Sequence, residues 1–276
     1  MKLPLFRSTL AMAATVFLLA SCETVQTTQG GVVGVGRQQR MTISAEQIEQ
    51  SARQQYAQVL AEERQKGNLN RNPAHLNRIR VITNRLIPQT LVFRPDAQKW
   101  QWEVNVITSK EINAWCMPGG KVAIFTGIIE RLQLTDDEMA AVLGHEISHA
   151  LREHARERAS EQMGTDLAAS GIEILGAIYG IEGLGKVANT GLQLGIGLPN
   201  SRMHETEADR MGVELAARAG YDPRAAVTLW QKMARASADE SPQFLSTHPS
   251  RENRQNDLAD YSQRVMSLYL QAKKQH

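Results

Sequence analysis

The sequence predicts an α+β fold, mostly helical, with one small sheet. Two observations carry this. Apolar residues recur at helical spacing before Pro88 and again after Thr135, while between them, from Trp100 to Gly127, the period drops to two. Helices, a small sheet and then many helices follow one another, the order of an α+β domain. With 42% hydrophobic and 22% charged residues, the 276-residue chain can bury a sizeable core. Aromatic content of 5% and a formal charge of +2 argue against a nucleic-acid surface.

The elements read in order as follows. Residues 1–21 have Lys2 and Arg7, then an uncharged apolar run too short to span a membrane, as in a secretory signal peptide. Leu19-Ala20-Ser21-Cys22 resembles a bacterial lipobox, with Cys22 the lipidated residue, and removing 1–21 leaves no net formal charge. Glu23, where aspartate would signal inner-membrane retention, points to an outer-membrane lipoprotein on the periplasmic face. Residues 22–40, rich in Gly, Gln and Thr, read as a flexible tether, and 41–276 as the folded domain. Cys116 is then the sole cysteine, so stability comes from the core without an internal disulfide; it reads as a packed small side chain.

Ser44 and Gln47 form a capping box opening a helix on Ile48, Tyr56, Val59 and Leu60. Asn72 and Pro73 open a second helix, with Leu76, Ile79, Ile82 and Leu86 on its apolar face. Trp102, Val104 and Val106 alternate as in a strand, and EINAWCMPGGKVAIFTG reads as a hairpin around Pro118-Gly119-Gly120. Thr135 and Glu138 cap a long helix expected to run to about Ser160. The Gly-rich stretch 166–198 reads as packed or mobile helices and not as a span. A helix from about 200 ends before Gly220, Asp222-Pro223 starts another, and Ser250 opens the last.

Chemistry enters at His145-Glu146-Ile147-Ser148-His149. On a helix the two imidazoles, four residues apart, share a face and reach one ion. Glu146, turned by about 100° from His145, sits beside the ion, where it can move a proton. This is the HExxH pattern of zinc peptidases, in which zinc polarises the scissile carbonyl and activates water. Three protein ligands are usual in such sites, so a third is expected downstream. Arg152 and Ala155 exclude the three-histidine extension of the motif, and His154 falls about 140° away on a continuous helix. In SRMHETEAD, Glu205 and Asp209 share a face: Glu205 is the expected ligand and Asp209 the partner of a ligand histidine. His204 is the runner-up, and Glu207 reads as solvated or salt-bridged.

HEISH followed by SRMHETEAD resembles the M48 family of zinc peptidases, in its soluble bacterial lipoprotein branch. NAWCMPGGKVAIFTG is similar to the family's strand segment, and His248-Pro249 with Arg254 to its late HPxxxxR segment; the likeness covers about 75–258. It implies a zincin-like domain with one zinc on His145, His149 and Glu205, Glu146 as catalytic base, and substrate backbone held along Lys121–Thr126. His248 would either stabilise the oxyanion or gate the zinc's open position. The implied activity is endoproteolysis of misfolded or misassembled envelope proteins, with a chaperone-like binding protein on the same fold as the alternative. The expected partners are those substrates and, through the lipid, a membrane.

Overall fold

The computed structural model describes residues 23–163, 200–239, 242–249 and 253–274. The leader over 1–21, the lipidation of Cys22 and the Gly-rich stretch 166–198 lie outside the described residues. The described chain begins with a two-stranded antiparallel pair, β1 (Glu23–Val25) and β2 (Gln39–Met41). Two helices follow, α1 (Ala45–Gln65) and α2 (Pro73–Leu86), each starting at its expected cap. Ser44 accepts from the Gln47 amide in a full capping box, and Asn72 accepts from the amides of Ala74 and His75.

The main sheet holds β3 (Glu103–Ile107), β4 (Ala114–Met117) and β5 (Lys121–Phe125) in the order β3-β5-β4. β4 and β5 form the expected hairpin, with Gly119 and Gly120 at φ of 76° and 79° in its turn. β3 runs parallel to β5, which puts β5 in the middle and leaves β4 at an edge. Nearly every residue of this sheet is buried because both faces are covered. Val104, Val106, Ala114, Cys116, Val122 and Ile124 face the core with α2, while Ile107, Trp115, Met117 and Ala123 pack with α1. Each large core side chain so buried contributes about 1.5–3 kcal/mol.

The remaining α-helices among the described residues are α3 (Thr126–Glu130), α4 (Asp136–Leu151), α5 (His154–Met163), α6 (Arg202–Arg218), α7 (Ala225–Asp239), α8 (Gln243–Thr247), α9 (Arg254–Arg264) and α10 (Met266–Ala272). The single helix expected from Thr135 to Ser160 is therefore two. It breaks at Glu153, whose φ of 53° is left-handed, and α5 leaves in a new direction.

The flexible tether is also corrected for residues 23–40. Val33 and Val35 are buried in the core, the Gln29 amide donates to the Phe93 carbonyl, and the Val33 amide donates to Glu214. Gln39 Nε2 donates to the Arg152 carbonyl and to Glu157. Two buried valines and specific polar contacts hold a segment whose composition alone suggests a linker. Among the described residues, no helix is long and apolar enough to cross a membrane.

Candidate metal centre

Helix α4 is fixed at its start and along its length. Thr135 and Glu138 cap each other, and Glu138 also accepts from Lys232 at 2.7 Å and from Thr228, tying α4 to α7. From Glu138 to Leu151 every residue of α4 is buried. Its partner α6 comes unusually close, because glycine faces glycine. A Cβ on Gly144 would lie 2.7 Å from the Gly212 carbonyl oxygen, and one on Gly212 would lie 2.7 Å from the His145 nitrogen. That contact sets the depth at which the α6 carboxylates meet the α4 imidazoles.

Four donor groups converge there: His145, His149, Glu205 and His248, with one ligand atom from each lying within 4.8 Å of the others. His145 Nε2 is 3.1 Å from His149 Nε2 and 3.2 Å from His248 Nδ1. Glu205 is 3.3 Å from His149 Nε2, 3.5 Å from His145 Nε2 and 3.0 Å from His248 Nδ1. Three ring nitrogens aimed at one another around a carboxylate suit a single divalent cation, the usual occupant of His and carboxylate donors. Glu146 stays outside this set; its Oε1 is buried, accepts no hydrogen bond, and lies 3.4 Å from His248 Nε2.

The electrostatics differ from residue to residue. Burial alone would lower His145, but Glu205 and Asp209 outweigh it and push its pKa up to about 9. Burial holds His149 well below the usual imidazole range. Glu205 would be raised by burial, yet the imidazoles of His248 and His145 keep it well below the usual carboxylate range. Burial raises Glu146, and its cationic neighbours only partly oppose the shift.

A family model described as "Peptidase family M48" matches residues 73–262. The chain belongs to peptidase family M48. Among its M48 relatives, the mitochondrial metalloendopeptidase OMA1 of Arabidopsis thaliana is 37% identical over 158 residues, 57% of this chain and 31% of that protein. The mitochondrial OMA1 of Bos taurus is 38% identical over 176 residues, 59% of this chain and 33% of that protein. The beta-barrel assembly-enhancing protease of Yersinia pestis is 30% identical over 190 residues, 65% of this chain and 37% of that protein. The aligned part is thus about a third of each relative.

These names overturn the periplasmic, outer-membrane location expected from Leu19–Cys22 and Glu23, since the relatives of higher identity are mitochondrial proteins. A short apolar leader behind basic residues is a weak address, and Glu23 is the first residue of strand β1, so strand pairing bears on that position as well as sorting.

The remaining residues singled out in the sequence fall only partly where they were expected. Asp209 lies 3.0 Å from His145 Nδ1, beside the histidine it was expected to support. Arg254 Nη2 donates to Glu205 at 2.9 Å and to Asp209 at 2.6 Å, and its guanidinium stacks 3.2 Å from the centre of the Trp230 ring. In the sequence, Arg254 had only a place in a motif. His204 is remote from the donor set and pairs with Glu157 at 3.1 Å. Glu207, expected to be solvated or salt-bridged, is buried and salt-bridged to Arg152 and Arg37. Cys116 is fully packed, and burial raises its thiol well above the ordinary range. The strand expected along the cleft, Lys121–Thr126, is the centre of the sheet. Instead, Asn113, Ala114 and Trp115, at the start of edge strand β4, line the small cavity in front of Glu146, with Arg158 and Asn200.

Proposed function

We propose that this M48 chain is a zinc metalloendopeptidase that hydrolyses unfolded or misassembled proteins. The observation that carries the reading is Glu146: a buried carboxylate on the same helix as two donor histidines, outside the donor set, at the wall of the cavity beside β4. His145, His149 and Glu205 would hold one zinc through Nε2, Nε2 and a carboxylate oxygen. Bound there, zinc supplies Lewis-acid polarisation of a peptide carbonyl and of water.

The chain's own residues do the rest. Glu146, raised toward neutrality by burial, takes a proton and returns it to the departing amine. Asp209 and Arg254 hold His145 and Glu205 in place. The outer edge of β4 offers main-chain groups to which an extended substrate adds as a further strand. Such recognition needs an accessible backbone more than a given side chain, which suits unfolded chains.

His248 favours the gate over the oxyanion stabiliser. Its Nδ1 lies at hydrogen-bond distance from both His145 Nε2 and Glu205, inside the donor set and not beside it. Hydrolysis then requires His248 to leave, which also accommodates a binding role in the resting state.

The test is cleavage of casein with zinc, with chelator, and by Glu146→Gln and His248→Ala. The expected result is chelator-sensitive cleavage, lowered about 10²–10⁴-fold by Glu146→Gln with zinc retained, and raised by His248→Ala. Full activity in Glu146→Gln would end the role of Glu146 as base, and no cleavage by either zinc-loaded wild type or His248→Ala would end the peptidase reading. A slower His248→Ala would end the gate and restore the stabiliser.

A further inference from the structure

We propose that His154 and Glu207 form a positioning relay that fixes the tautomer of His149 and turns its Nε2 lone pair toward the metal. The inference rests on the reading of His149 as a zinc ligand. It begins with a carboxylate, which can only accept: His154 Nε2 lies 2.9 Å from Glu207 Oε2, so that nitrogen carries the hydrogen. The other nitrogen of a neutral His154, Nδ1, is then an acceptor. It lies 2.8 Å from His149 Nδ1, and two nitrogens so close need one hydrogen between them, which must belong to His149. His149 Nε2 is left bare, and it is the atom facing Glu205 and His145. On the other side of the site, Asp209 Oδ1 lies 3.0 Å from His145 Nδ1.

The relay is anchored. Arg152 and Arg37 both donate to Glu207, Arg152 through Nε and Nη2 and Arg37 through Nε and Nη2. Arg37 also grips Glu157 at 2.5 and 2.8 Å, so two guanidinium groups balance two carboxylates. His154 lies flat on His204, ring centres 4.3 Å apart, and His204 Nε2 contacts Glu157. His154, Glu157 and His204 also lie close enough to suggest a second metal site. The atoms of His154 and Glu157 are already committed, however: both nitrogens of His154 serve the relay, and Glu157 holds Arg37 and Gln39. The cluster is a support for the first site.

The relay exists because α4 stops at Leu151. On one continuous helix His154 would point about 140° away from His149. The left-handed turn at Glu153 restarts the helix so that the two rings meet.

The experiment compares wild type, His154→Leu and His154→Gln in the full chain. Zinc affinity is measured by competition with a chromophoric chelator, and site geometry by the visible spectrum of the cobalt(II) form. A glutamine oxygen can accept from His149 Nδ1, whereas leucine cannot. Loss of an outer partner of a ligand histidine typically costs about 10–100-fold in metal affinity. That loss is expected for leucine, with an altered cobalt spectrum, and with substantial recovery of both for glutamine. Both variants remove the stack on His204, so a merely structural role predicts equal affinities in the two; that result overturns the relay. If leucine prevents folding, nitrogen-15 NMR of wild-type histidines decides: His154 must show hydrogen on Nε2 and none on Nδ1, and the reverse overturns the proposal. A wild type that binds no zinc removes the metal-centre reading itself, a failure distinct from equal affinity in all three proteins.

Discussion

Glu146 and Glu205 are both buried carboxylates within reach of the same histidines, yet their proton affinities move in opposite directions. Glu205 faces His248, His145 and His149 and receives Arg254, so its charge is compensated; at Glu146 burial outweighs the opposing neighbours His248, His145 and Arg158. Arg254 is therefore the residue on which the acceptor half of the site depends. Arg254→Met is expected to leave Glu205 and Asp209 as buried charges short of a partner, at about 3–5 kcal/mol. Urea unfolding of the metal-free protein measures it, and a loss under 1 kcal/mol contradicts the assignment. At this scale the sequence was legible wherever helical spacing decides: His145, His149, Glu205 and Asp209 share faces as the intervals require. It was illegible at His154 and Glu207. Their roles depend on a left-handed residue at Glu153 and on two arginines, one of them more than a hundred positions upstream of the glutamate it grips.

Between elements, the Gly144–Gly212 contact matters most. Gly212→Ala puts a methyl against the α4 backbone, so the helices must separate. The expected outcome is a lower melting temperature together with weaker zinc binding; unchanged zinc affinity would mean the contact does not set the site. The anchoring of α4 to α7 has a pH signature. Burial raises the Glu138 carboxyl, but Lys232, the Thr135 amide and Thr228 more than reverse this, leaving it below its ordinary value. A carboxyl depressed in the folded state contributes stability that is present above its unfolded pKa of about 4.3 and is lost as pH falls through the folded value. The melting-temperature gap between wild type and Glu138→Gln should thus be open at pH 7 and narrow below pH of about 4. A gap that is constant with pH rejects this role. Caps and the hairpin were legible because a few adjacent residues specify them. The order β3-β5-β4 was not, since which strand lies in the middle depends on a parallel pairing that no local pattern encodes.

Across the whole molecule, the segment from Glu23 to Met41 packs on the C-terminal end of α4 and on α5 and α6, and closes over the Arg152–Glu207 pair. Its grip has an apolar and a polar part: Val33 and Val35 in the core, Arg37 and Gln39 on the buried charges. Replacing both valines by serine is expected to cost about 1.5–3 kcal/mol at each site, measured as a lower urea midpoint. A variant with wild-type stability would return the segment to the status of a linker. Composition misled here because Gly, Gln and Thr dominate by number, whereas two valines and one arginine dominate by contact. From Ala45 on, the succession of helices, sheet and helices was legible because it follows from hydrophobic period, whereas the β1-β2 pair before it was not.

The donor set also has an order in time. His248 follows His145 by 103 residues, and Arg254 comes later still. With translation adding about 5–20 residues per second, the HExxH helix exists for roughly 5–20 seconds before its last neighbours emerge from the ribosome. During that interval neither Arg254, which holds Glu205, nor His248 has been made. The residue that holds the donors thus arrives together with the one that, on the gate reading, would shut them, so completion of the site and its closure would be a single event in synthesis.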